Sequence, residues 1–154
     1  MKTKAHFKGH PIHPMLIPFP IAFLTGAMAA DVAGRVLDSA QWWTIAAYLG
    51  RAGIVTALLA AIPGLIDYFV AVPPRSTGKK RATYHMLANL SSVALFVIAT
   101  ITRGPVANPP HLLVIVLEIA GVVLLTMGGW MGGTLVNRNF LGPEIGRASC
   151  RERV

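Results

Sequence analysis

The stretch LLVIVLEIAGVVLLTMGGWMGGTLV, Leu112 to Val136, decides the fold class. It carries a single ionisable side chain, Glu118. A helix crosses the hydrocarbon of a bilayer with about 20 mainly apolar residues. This stretch meets that length with residues to spare. It reads as a membrane-spanning helix.

Three further segments qualify by the same measure. They run from about Met15 to Leu37, Trp42 to Val72, and Tyr84 to Thr102. The second is longer than a bilayer requires, so it tilts or extends beyond it. Pro63 inside it predicts a kink. The first span begins after basic residues, yet its apolar part exceeds a signal-peptide core, and Pro14, Pro18 and Pro20 interrupt its start. It reads as retained. The whole chain is 54% hydrophobic and only 13% charged, whereas a soluble domain is about a quarter charged. The expected fold is therefore all-α: an up-down bundle of four transmembrane helices covering residues 15–136, with a basic segment 1–14 before it and a short tail 137–143 after it.

The basic residues lie in connectors beside apolar spans. Lys2, Lys4 and Lys8 precede the first span, and Arg75, Lys79, Lys80 and Arg81 lie between the second and third. In a four-span chain these two segments share one side. The positive-inside rule makes that side cytoplasmic, with both termini inside. The expected location is a bacterial inner membrane, crossed several times, with the lipid bilayer as the first partner. The same placement explains the net charge of +8 without nucleic acid. Trp42, Trp43 and Tyr84 sit at span ends, as an aromatic belt predicts.

Residues Glu144 to Val154, EIGRASCRERV, match a translated sequencing adapter codon for codon and are set aside as an artefact. Without their three arginines and two glutamates the charge falls from +8 to +7. Cys150 goes with them, leaving no thiolate for a disulfide or a metal.

Ionisable residues inside spans are costly and usually face the bundle interior or pair with each other. They fall into two layers. Asp31, Arg51 and Glu118 lie within one half of the bilayer, counted along their helices. The expected buried ion network joins Arg51 to Asp31, to Glu118 or to both. Toward the other side, His10 and His13 open the first span, Asp67 lies near the end of the second, and His85 opens the third. Asn89 is four residues after His85 and shares its helical face. His13 and His85 on facing helices satisfy the requirement of a bis-imidazole haem site, with Asp67 and Asn89 as orienting partners. The same set could hold a divalent metal, relay protons, or form a plain hydrogen-bond network at the membrane boundary. Gly128, Gly129, Gly132 and Gly133 form two overlapping small-xxx-small pairs, which suit close helix packing within the bundle or in a homo-oligomer. Ser91 and Ser92 are expected to bond back to the preceding helical turn. No phosphate loop, nucleophile elbow or H-E-x-x-H motif is present, so an enzyme is the less favoured reading.

The opening Gly-His-Pro-Ile-His-Pro-Met-Leu-Ile-Pro-Phe-Pro-Ile-Ala at 9–22 resembles a bacterial family of predicted membrane proteins, domain of unknown function 2231. Asp31, Gly64-Leu65-Ile66-Asp67, His85 with Asn89, and Gly129-Trp130-Met131-Gly132-Gly133-Thr134-Leu135-Val136 agree with it. The likeness covers about residues 9–140. Asn137-Arg138-Asn139-Phe140 departs from the glycine-rich basic ending of that family. The resemblance implies no established activity. Relatives that join this domain to Rieske-type or cytochrome-type modules imply a redox setting. Three functions therefore stand side by side. One is a small haem b- or metal-binding subunit with a redox partner, using His10, His13 and His85. Another is a proton- or solute-handling unit built on Asp31, Arg51 and Glu118. The last is a membrane scaffold that recruits a helix through its glycines.

Overall fold

The computed structural model describes residues 5–8 and 10–139, the side chain of Asn139 excepted. The adapter-like segment with Cys150 lies outside the described residues. Two short strands, β1 (His6–Phe7) and β2 (His10–Pro11), pair antiparallel ahead of the helices. Then follow α1 (Ile12–Leu16), α2 (Pro18–Leu37), α3 (Ala40–Val70), α4 (Thr77–Thr102) and α5 (Leu112–Asn139). Four helical stretches are long and apolar enough to cross a membrane, α1 and α2 together making the first.

The spans match the hydropathy reading, and their ends differ for local reasons. Prolines lack an amide donor, so Pro14, Pro18 and Pro20 thin the bonds of the first turns. The chain is nonetheless helical from Ile12, because Ile17 N–H reaches the His13 carbonyl at 3.2 Å and Ile21 N–H reaches the Ile17 carbonyl at 3.3 Å. His13 consequently lies inside a helical turn and not in front of one. Helix α3 continues through Pro63, which is buried. Helix α4 starts seven residues before Tyr84, because Ser76 caps it: its hydroxyl accepts from Lys79 N–H at 3.0 Å and donates to the Pro73 carbonyl at 2.8 Å. Hydropathy registers only the lipid-facing part of such a helix, whereas a cap extends it into the polar zone. Ser76→Ala should cost about 1 kcal/mol. A small fall in melting temperature of the purified protein in detergent checks this.

The helices form two tight hairpins, α2 on α3 and α4 on α5, with lighter contacts between them. Across the seam a buried cluster of Leu24, Ala27, Phe96 and Leu125 makes the dry centre. Glycines admit its large side chains. Leu24 lies against Gly53, and a Cβ on Gly121 would sit 2.7 Å from the Phe96 ring. In lipid, helix association draws on this close van der Waals packing. Ser92, also buried, donates across to the Gly121 carbonyl at 2.7 Å. It joins α4 to α5 and does not bond to its own helix, because the side-chain-free Gly121 leaves that carbonyl open. The outward faces remain apolar, with Val36, Val55, Phe69, Ile101 and Leu112 exposed.

Candidate functional site

The two polar layers lie at the two ends of the seam between the hairpins. At one end are His13 on α1 and His85 on α4. Their ring centroids are 6.2 Å apart and their planes are nearly perpendicular, at 88°. Each ring rests on the second helix of its own hairpin. His13 lies over Gly64 of α3, where a Cβ would come within 2.9 Å of Cε1 and Nδ1. His85 lies over Gly132 of α5, where a Cβ would be 3.0 Å from Cε1. Each Nδ1 also meets a main-chain carbonyl at 2.7 Å: Ala60 for His13 and Gly128 for His85.

Those carbonyls only accept, so each Nδ1 is the protonated nitrogen that donates. In the neutral ring, Nε2 is then the nitrogen with the lone pair. A contact of 3.3 Å between the Asn89 amide nitrogen and His85 Nδ1 is not a hydrogen bond in this tautomer. The Asn89 amide instead donates to the His85 carbonyl at 2.7 Å and packs over Gly128. The glycine pairs thus divide by face. Gly128 and Gly132 seat Asn89 and His85, whereas Gly129 and Gly133 have nothing within 4 Å of an added Cβ.

His10 and Asp67 do not take the places expected for them. His10 lies in the exposed strand β2, opposite Phe7. Asp67 Oδ1 accepts from the Ala5 amide at 3.2 Å, which fastens the N-terminal hairpin to α3. Both follow from the early start of α1, which carries His13 into the bundle and leaves the preceding residues folded back as strands. Among the described residues, no group of three or more His, Cys, Asp or Glu is placed to hold a metal ion. Two imidazoles alone do not complete a tetrahedral zinc site.

At the other end, the expected network forms with a different cation. Arg103, at the C-terminal cap of α4, makes a two-pronged pair with both oxygens of Asp31. Its Nη1 lies 3.6 Å from Glu118 Oε1, and its Nη2 donates to the Trp43 carbonyl at 3.0 Å. Asp31, Arg103 and Glu118 are all buried. Arg51, expected in this role, is exposed on α3, its guanidinium carbon 5.9 Å from the centroid of the Tyr48 ring. Depth alone selected Arg51. The helical face excludes it, because α3 turns Ala46, Ala47, Gly50 and Gly53 inward. Arg103 lies just past the apolar run, which ends at Thr102, so hydropathy leaves it out of the span. The signal was available: an arginine directly after a span reaches back along its own helix to a carboxylate. Three buried polar atoms among the described residues lack a hydrogen-bond partner, and all belong to this layer: Trp43 Nε1, Arg103 Nε and Glu118 Oε2. Nearby, Arg35 donates to the Pro110 carbonyl, a further tie between the hairpins.

Comparison with curated proteins and with solved structures finds no match for this chain. The four spans, the histidine pair and the glycine seats nonetheless fall inside one family model, which matches residues 9–143, and on that match the chain belongs to the family described as predicted membrane protein DUF2231.

Proposed function

We propose that this protein is a small membrane-embedded haem-binding redox subunit, in which His13 and His85 would hold the haem. The observation that carries this reading is the imidazole pair: one ring from each hairpin, 6.2 Å apart across the seam. One metal atom bound at about 2 Å by two imidazole nitrogens holds the ring centres roughly 6 Å apart. The main-chain bonds support the same reading. Metal-bound histidines commonly donate the second nitrogen to a carbonyl, which fixes the tautomer and the ring orientation. His13 and His85 each do so.

The ligand count favours haem over a bare divalent ion, since haem asks the protein for only two axial groups. The two residues that would hold it come from hairpins whose mutual contacts are lighter than those within each hairpin. A haem held by His13 and His85 would supply one-electron transfer. The work of the chain itself is to hold each Nδ1 on a carbonyl, which leaves Nε2 of the neutral ring as the nitrogen that could bind, and to keep water away with the Leu24 and Phe96 cluster deeper in the bundle. The Asp31–Arg103 pair serves this reading as a clamp at the far end of the seam. Its arginine is already shared among Asp31, Glu118 and the Trp43 carbonyl, which argues against a solute path there.

The test is an absorption spectrum with metal analysis on the same sample, purified from cells supplied with iron and a haem precursor. A Soret band that disappears in His13→Ala and in His85→Ala is expected, whereas His10→Ala keeps it. A folded, colourless and metal-free wild-type protein from such cells sinks the reading.

A further inference from the structure

Arg51 is an exposed guanidinium within a membrane span. Its Cα lies about 16 Å from the Ala40 end of α3 at ~1.5 Å rise per residue. Exposed Val36, Ile101 and Leu112 ring that end of the bundle, so hydrocarbon reaches further outward than Arg51 does. The side chain extends toward Tyr48, one turn nearer the end, and remains inside this apolar ring. A charge held there in lipid is expensive and calls for a partner.

The described residues do not supply that partner. Arg51 makes no ion pair among the described residues. Asp31 and Glu118, the carboxylates nearest in depth, are buried around Arg103. Asp38 lies in the turn before α3, and Asp67 is roughly 24 Å further along α3 by helical rise. A second copy inserted the same way places equal residues at equal depths and would set Arg51 against a face with no exposed carboxylate. Tyr48, Arg51, Val55, Leu58 and Ile62 form one outward stripe with helical spacing, all of them exposed.

We propose that this stripe docks a transmembrane helix of a different protein, which presents an Asp or Glu to Arg51 at mid-span. Buried in that contact, the guanidinium gains a two-pronged carboxylate bond and its cost in lipid disappears. The inference does not depend on haem binding.

The experiment replaces Val55 with photoreactive p-benzoylphenylalanine in the full chain, in the membranes of its own host. The expected adduct joins α3 to a span of another protein that carries an acidic residue. Arg51→Gln should cut the adduct about ten-fold, and Arg51→Glu combined with an acidic-to-Arg change in the partner should restore it. An adduct between two copies of this chain overturns the proposal, as does an adduct with lipid alone. So does an adduct whose yield ignores residue 51, or one that the exchanged pair fails to restore. Purified Arg51→Gln should keep its melting temperature, because among the described residues the guanidinium makes no ion pair and only lies near the Tyr48 ring. A large fall would assign Arg51 an internal role and overturn the proposal as well.

Discussion

Arg103→Met should destabilise the protein by about 3–5 kcal/mol, the cost of leaving a buried carboxylate without its cation. Asp31 is fully buried and takes both of its charge-assisted bonds from this one guanidinium. The Trp43 carbonyl and Glu118 lose their partner in the same step. Reversible unfolding in mixed detergent micelles, with helical circular dichroism as the readout, measures the change. Combining Arg103→Met with Asp31→Asn should recover much of it, because the stranded charge is then gone. Glu118→Gln should cost less than Asp31→Asn, since its contact with Arg103 is longer, at 3.6 Å. A loss of less than 1 kcal/mol in Arg103→Met would show that the ion layer does not hold the hairpins together.

Gly64→Val should abolish the proposed haem site while leaving the helices in place. Even a Cβ at Gly64 falls 2.9 Å from the His13 ring, closer than packing allows, and valine adds two branches to it. The ring must turn away, so the bond from Nδ1 to the Ala60 carbonyl breaks and Nε2 loses its aim. A displacement of about 1 Å in a ligand is enough to spoil a preorganised site. The expected result is a folded, helical protein whose Soret absorbance is lost or reduced at least about ten-fold, as for loss of a residue supporting a metal ligand. Gly132→Val should act in the same way on His85. Gly133→Val, where nothing lies within 4 Å, is the control and should retain the spectrum. Retention of full absorbance in Gly64→Val would contradict the assignment of His13.

Apolar length and connector length made the bundle legible in the sequence, since both are one-dimensional properties. The two polar layers were legible as depths. Asp31 and Glu118 do meet, and so do His13, His85 and Asn89, because residues at similar depth on packed helices have few other places to go. The faces were not legible. Arg51 has a suitable depth but points away from the bundle. Arg103 lies outside the apolar run but turns its side chain into it. Asp67 and His10 show a different limit: a two-residue strand pair leaves no periodic signal, so nothing in the sequence announced the hairpin that takes both of them. The glycines of α5 carried two meanings in one motif. Gly128 and Gly132 accommodate polar side chains of α4, and only the packed structure separates them from Gly129 and Gly133.

The ion pair at the seam also bears on how the chain is made. Asp31 and Arg103 are 72 residues apart in sequence and belong to different hairpins. During synthesis the first hairpin, with Asp31, is made before its cation exists. The pair closes only when the third span has been completed and the hairpins come together. A nascent chain halted before Arg103 therefore lacks the cation that Asp31 pairs with in the finished bundle, and its two hairpins lack their ionic tie.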